Sequence, residues 1–138
     1  MWDFADVYKK DQFAFSYLTL HEWVYKKRKG KKIGDFLNRN GIHHIALCGY
    51  GSLGEVILPA FLEEGLDIAF IVDKNPLQFG SSVEGIPVIA PDCVARQRLV
   101  DAYIVCHVYY YNSIADMLVS QGIPAERVLS LNDVVFSL

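Results

Sequence analysis

Ile45-Ala-Leu-Cys-Gly-Tyr-Gly-Ser-Leu-Gly54, together with the run Asp67-Ile-Ala-Phe-Ile-Val-Asp73, decides how the chain folds. Ile45 to Cys48 reads as a short buried strand. Gly49, Gly51 and Gly54 then follow in the order G-x-G-x-x-G. From Ser52 to Glu64 apolar residues recur at helical spacing (Leu53, Val56, Ile57, Ala60, Phe61), and Gly65 stands where a helix stops. Ile68 to Val72 is a second, β-branched strand that ends on an acid. Each glycine has its own reason in a phosphate site. The first permits the tight turn, the second lets a pyrophosphate approach the backbone, and the third lets helix and strand pack closely. The helix that opens near Ser52 offers unpaired N–H groups and a positive dipole end. Asp73, 19 residues after Gly54, is placed to accept ribose hydroxyls. Strand, glycine turn, helix and terminal acid together read as a Rossmann-type βαβ unit.

Working outward, 138 residues with 52% hydrophobic character support one core and argue against disorder. No apolar stretch approaches the ~20 residues of a membrane span. The N-terminus lacks the basic-then-apolar order of a signal peptide. Cys48, Cys93 and Cys106 are odd in number and widely spaced. They read as core residues of a reduced, cytoplasmic protein, with no metal site expected. The net charge of −3 is uneven: residues 1–41 carry nine Lys/Arg against five acids, and residues 42–138 carry four against eleven. The acidic balance of the second part predicts no nucleic-acid partner.

Residues 3–29 read as helical, in two pieces if Asp11 divides them, with Phe13, Tyr17, Leu20 and Val24 as the inward stripe and Leu18 and Tyr25 widening it. Six basic residues in seven follow from Lys26 to Lys32. Three roles stay open for this stretch: packing on the body, docking another copy or subunit, or lying on a membrane interface. Ile33 to Asn40 is a short helix, and His43 and His44 are solvated or capping residues at the first strand. Pro59 should kink or divide the helix after the glycine turn. Ile86 to Ala90 is a strand whose proline favours an edge. A helix runs from Pro91 to about Leu99, a strand covers Ala102 to His107, a helix Ser113 to Gln121, and a last strand Arg127 to Leu131.

Alternating strands and helices predict an α/β fold: a three-layer Rossmann-like sandwich with a mostly parallel sheet, residues 42–138, preceded by an N-terminal helical extension, residues 1–41. Ligands of such sheets lie beyond the strand carboxyl ends, where strand order reverses. The residues expected there are Gly49, Tyr50, Gly51, Ser52, Leu53, Gly54, Asp73, Lys74, His107 and Tyr109. The tyrosines after His107 either stack on a ligand or fill the gap beside the first helix. No catalytic residue is assigned; His107, the imidazole expected nearest, has no recognisable orienting partner in sequence.

The series Gly-Tyr-Gly-Ser-Leu-Gly, Ile-Val-Asp-Lys-Asn-Pro and Gly85-Ile-Pro-Val-Ile-Ala-Pro-Asp92 resembles the Rossmann-like domain of bacterial surface-polysaccharide proteins. That domain precedes the catalytic part in sugar acyltransferases and in some nucleotide-sugar epimerases and dehydratases. The resemblance covers residues 42 to about 131. It implies a cytoplasmic domain that binds NAD(P) or a nucleotide sugar, with Gly49, Gly51, Gly54 and Asp73 on the nucleotide or pyrophosphate. The hexapeptide repeats of the acyltransferases are missing, and Tyr25-x-x-x-Lys29 precedes the glycine turn instead of following the fourth strand. The resemblance therefore implies a binding domain, with two alternatives. One is a small oxidoreductase or epimerase subunit completed by a partner. The other is an interaction module with a vestigial site, in which the aromatic N-terminal helices mediate a homo-oligomer or bind a partner subunit.

Overall fold

In the computed structural model, which describes residues 4–49, 51–74, 82–107 and 110–138, the strands form one sheet in the order β3-β4-β2-β1-β5-β6. The strands are β1 (His44–Cys48), β2 (Asp67–Val72), β3 (Ser82–Val83), β4 (Ile86–Ile89), β5 (Ala102–Val105) and β6 (Val128–Ser130). All pair in parallel except β3 with β4. The helices are α1 (Phe4–Arg28), α2 (Ile33–Arg39), α3 (Gly51–Glu63), α4 (Tyr111–Ser120) and α5 (Leu131–Phe136). This is the expected α/β Rossmann-like architecture.

Alternation along the central strands divides the core in two. Ile45 and Leu47 of β1 join Ile71, Ile104, Leu58 and Phe61 on one face, with Leu131 and Val135 of α5. Ala46 and Cys48 point the other way, to Phe70, Val72, Tyr103 and Leu118. Ile68 and Ile71, three apart, share the first face because the register between β1 and β2 shifts at Ala69: Ile45 pairs with Ile68, but Ala46 pairs with Phe70. A one-residue bulge resets the alternation. Each fully buried Leu, Ile or Phe side chain contributes about 1.5–3 kcal/mol, so the central strands are the stable frame of the site.

At the amino ends of β1, β2 and β5 the chain is tied by polar contacts. The backbone N–H groups of His43 and His44 both donate to Asp101 Oδ2 at 2.9 Å, which holds the Asp101 carboxyl below its usual range. His44 Nδ1 lies 2.6 Å from Asp67 Oδ2, and His43 Nδ1 lies 3.1 Å from Asn38 Oδ1. Both imidazoles are exposed, as the sequence suggested, and lie at the sheet end opposite the glycine turn.

Several expectations change. α1 is one helix through Asp11, and its inward stripe is not the expected one. Thr19, Leu20 and Trp23 face the body, while Tyr17, Leu18, Val24 and Tyr25 are exposed. Thr19 Oγ1 donates to Asn132 Oδ1 at 2.9 Å, and Lys26 Nζ donates to the Leu138 carbonyl oxygen, so contact with α5 chooses the face. Phe13 lies outside the residues whose side chains are described. Pro59 does not divide α3. It is exposed, as is Glu55, whose carbonyl loses its partner, and water can take that bond. β4 is not the sheet edge, since the two-residue β3 covers it through the tight turn Glu84-Gly85. The expected helix from Pro91 is a six-residue 3-10 segment ending at Arg96, with Val94 as its buried residue. Among the described residues no helix is long and apolar enough to cross a membrane.

Candidate functional site

The strand order reverses at β1: the chain runs from β1 outward through β2 to β4 and β3, then returns to β5 on the other side. The carboxyl ends of β1, β2 and β5 meet at that switch, where open α/β sheets take their ligands. Gly49 leaves β1 with its N–H donating to the Val72 carbonyl at 2.9 Å, and Cys106 N–H donates to the Cys48 carbonyl at 2.9 Å. The three strand ends are thereby fixed to one another.

Gly49 carries the turn. Its φ is +69°, in the left-handed region, and a Cβ there would lie 3.0 Å from Ile114 Cδ1 and 3.1 Å from His107 Cβ. Backbone conformation and space both demand glycine. α3 begins two residues later, at Gly51, and its first turn, Gly51, Ser52, Leu53 and Gly54, contains no acid. The positive end of a 13-residue helix is thus not neutralised from within. Leu53 and Gly54 are buried against the sheet.

On the β2 side, Asp73 follows the strand, half-buried, with its N–H donating to the Ile89 carbonyl at 3.1 Å. Lys74 is exposed and reaches over the Tyr110 ring, its Nζ 5.5 Å from the centroid. The Tyr110 and His107 rings lie 4.7 Å apart, and Tyr110 N–H donates to the His107 carbonyl at 3.1 Å. Burial, then the Lys74 ammonium, push the His107 pKa below the usual imidazole range, so this ring is neutral at pH 7. The side wall is therefore one cation, one neutral imidazole and one aromatic face.

The structure brings together Gly49, Gly51 to Gly54, Asp73, Lys74 and His107. Tyr50 and Tyr109, also expected at the site, lie outside the described residues, as do Asn75 and Pro76. Tyr111 does not fill a gap beside the first helix; it packs on the second core face with its hydroxyl donating to the Val128 carbonyl of β6 at 3.3 Å. Sequence reading missed Tyr110 as the bridge between Lys74 and His107, and Ile114 as the residue under Gly49. The signal for Ile114 was its place as the first apolar residue after the polar start of α4.

These features define a Rossmann-like α/β domain whose glycine turn sits at the topological switch of a parallel sheet. No protein-family model matches the chain, and no curated protein matches it. Among solved structures it is similar to RSP. The crystal structure of RSP described as a Rex-family repressor covers 75% of this chain at 25% identity and TM-score 0.52, over 60% of RSP. RSP in complex with β-NAD+ and operator DNA matches 70% of this chain and 54% of RSP at 26% identity and TM-score 0.49. RSP in complex with β-NADH matches 70% and 57%, at 26% identity and TM-score 0.46. The chain spans a little over half the length of RSP.

These neighbours correct one expectation. The acidic balance of residues 42–138 predicts no nucleic-acid partner, yet the neighbour at 25% identity and TM-score 0.52 is a Rex-family repressor. Net charge over a segment averages its field and does not describe a local surface. In this chain the residues from Lys27 to Lys32 are an exposed basic run beside an acidic body. The exclusion of nucleic acid does not stand.

Proposed function

We propose that the chain binds a nicotinamide dinucleotide, NAD(H), in the cleft at the carboxyl ends of β1, β2 and β5. The observation that carries this reading is Gly49: a left-handed residue with no room for a Cβ, delivering the chain into an acid-free helix N-terminus at the point where strand order reverses. In this reading the turn and the first N–H groups of α3 hold the pyrophosphate. Asp73 accepts hydrogen bonds from a ribose and disfavours a 2′-phosphate. His107, Tyr110 and Lys74 form the wall on the β5 side. Residues 42–138 act as the ligand-binding body, and residues 1–41 as helices appended to it.

A nucleotide sugar would also offer a pyrophosphate to this turn. The likeness to RSP, which has been solved with β-NAD+ and with β-NADH, favours the nicotinamide ligand, and nothing similar speaks for a polysaccharide setting. The test is a thermal-shift comparison of the pure protein with NAD+, NADH, NADP+, UDP-glucose and dTDP-glucose. A ligand at ~100 times its Kd stabilises by about 2.7 kcal/mol, a rise of several degrees. NAD+ or NADH should give that rise. A rise with the sugar nucleotides alone would overturn the ligand assignment, and no rise with any would overturn the site.

A further inference from the structure

We infer that the exposed face of α1 pairs with α1 of a second copy, antiparallel, about a two-fold axis at His21. Thr19, Leu20 and Trp23 turn α1 toward the body, which leaves the opposite side of the same helix in solvent. That side carries Tyr17 (64% exposed), Leu18 (52%), Val24 (40%) and Tyr25 (47%), with the His21 ring 5.9 Å from Tyr17. Four large apolar side chains on one face are more than a solvated helix needs.

Their order along the helix identifies the occupant. Tyr17-Leu18, His21 and Val24-Tyr25 read the same from either end: aromatic, aliphatic, imidazole, aliphatic, aromatic. An isologous two-fold contact requires that self-complementarity. About an axis at His21, Tyr17 meets Tyr25 of the second copy, Leu18 meets its Val24, and the two His21 residues face each other.

Charge selects the antiparallel direction. The basic run Lys26–Lys32 is centred eight residues beyond His21, about 12 Å along the helix at ~1.5 Å per residue. Antiparallel pairing leaves the two runs about 24 Å apart, roughly three Debye lengths at physiological salt. Parallel pairing would set them side by side.

The area sets the strength. With about 200 Å² for a full aromatic side chain, the four residues expose roughly 400 Å² per copy, so a pair buries up to roughly 800 Å². That lies below the roughly 1,000 Å² of a stable interface, so a weak, reversible dimer is expected.

Sedimentation equilibrium of the full chain between ~1 and ~200 μM tests the inference. The wild type should pass from monomer to dimer, and Leu18→Asp should stay monomeric with an unchanged circular-dichroism spectrum and melting temperature. A wild type that stays monomeric at ~200 μM, or a Leu18→Asp variant that dimerises as well as wild type, would overturn it. A second pair of variants reads the register. Helices packed ~8–10 Å apart bring directly facing Cα atoms to disulfide distance, so His21→Cys should form a linked dimer on air oxidation. Arg28→Cys, on the same face but far from its mate, should link no faster than wild type. Linking by Arg28→Cys and not by His21→Cys would overturn the antiparallel register.

Discussion

Gly49→Ala adds one methyl group at the residue that leaves β1. Two costs follow. A non-glycine residue at φ +69° costs about 1–2 kcal/mol. The methyl also meets Ile114 Cδ1 at 3.0 Å and His107 Cβ at 3.1 Å. The isoleucine tip can rotate away, but the His107 Cβ is fixed to the backbone after β5, so overpacking adds about 1–2 kcal/mol. The sum is about 2–4 kcal/mol. Gly65→Ala is the control that separates the costs: its φ is +76°, but nothing lies within 4 Å of the added methyl. It should lose only the backbone cost of about 1–2 kcal/mol. Urea unfolding of both variants, scored by the shift in midpoint at constant slope, measures the difference directly. At about 3 °C per kcal/mol, melting temperatures should fall by about 6–12 °C for Gly49→Ala and about 3–6 °C for Gly65→Ala. Equal losses would show that the cleft floor is not crowded at Gly49 and would refute the packing argument.

Other outcomes follow from the same geometry. Asp73→Ala should weaken NADH binding about 10–100-fold, the worth of hydrogen bonds to a charged acceptor, and should narrow the preference over NADPH; unchanged affinity in a fluorescence titration would remove Asp73 from the site. His107 is held low by burial and then by Lys74, so between its folded pKa and the ~6.5 of an unfolded imidazole the unfolded chain binds more protons, and stability rises with pH across that window. His107→Gln should flatten this rise, and Lys74→Ala should raise the His107 midpoint seen by NMR; a wild-type midpoint at or above ~6.5 would contradict the burial argument. Burial also pushes the Cys48 thiol far up and the Cys106 thiol up to about 12, so both should resist a thiol reagent in the native protein while Cys93, half-buried, reacts. Reaction of all three before denaturant is added would show that both core faces open, since Cys106 lies on the first and Cys48 on the second.

The βαβ unit was legible because its determinants are local: the glycine spacing, the helical period of Leu53 to Phe61 and the acid after Val72. The choice of faces was not. Tyr17 and Val24 form as good a stripe on α1 as Leu20 and Trp23, and only the distant contacts to Asn132 and Leu138 decide between them. The segment after Pro91 looked helical from its first turn, but Val94 is its buried apolar residue and Leu99 is 49% exposed. Without a packed stripe an α-helix does not propagate. The place of β4 depends on β3 and the Glu84-Gly85 turn, too short a signal to read. The wall of the site was half legible: His107 and Lys74 stood beside strand ends, whereas the position of Tyr110 between them is a matter of tertiary approach.

The most direct test of the dinucleotide reading is a calorimetric titration of NADH into the wild type and into Gly51→Val. Gly51 opens α3, and on the proposed reading a branched side chain there would stand where the pyrophosphate approaches the backbone. The account predicts saturable one-site binding to the wild type and loss of binding in the variant, with its unfolding midpoint close to wild type. Equal binding by the two proteins would contradict the assignment of the phosphate to this turn.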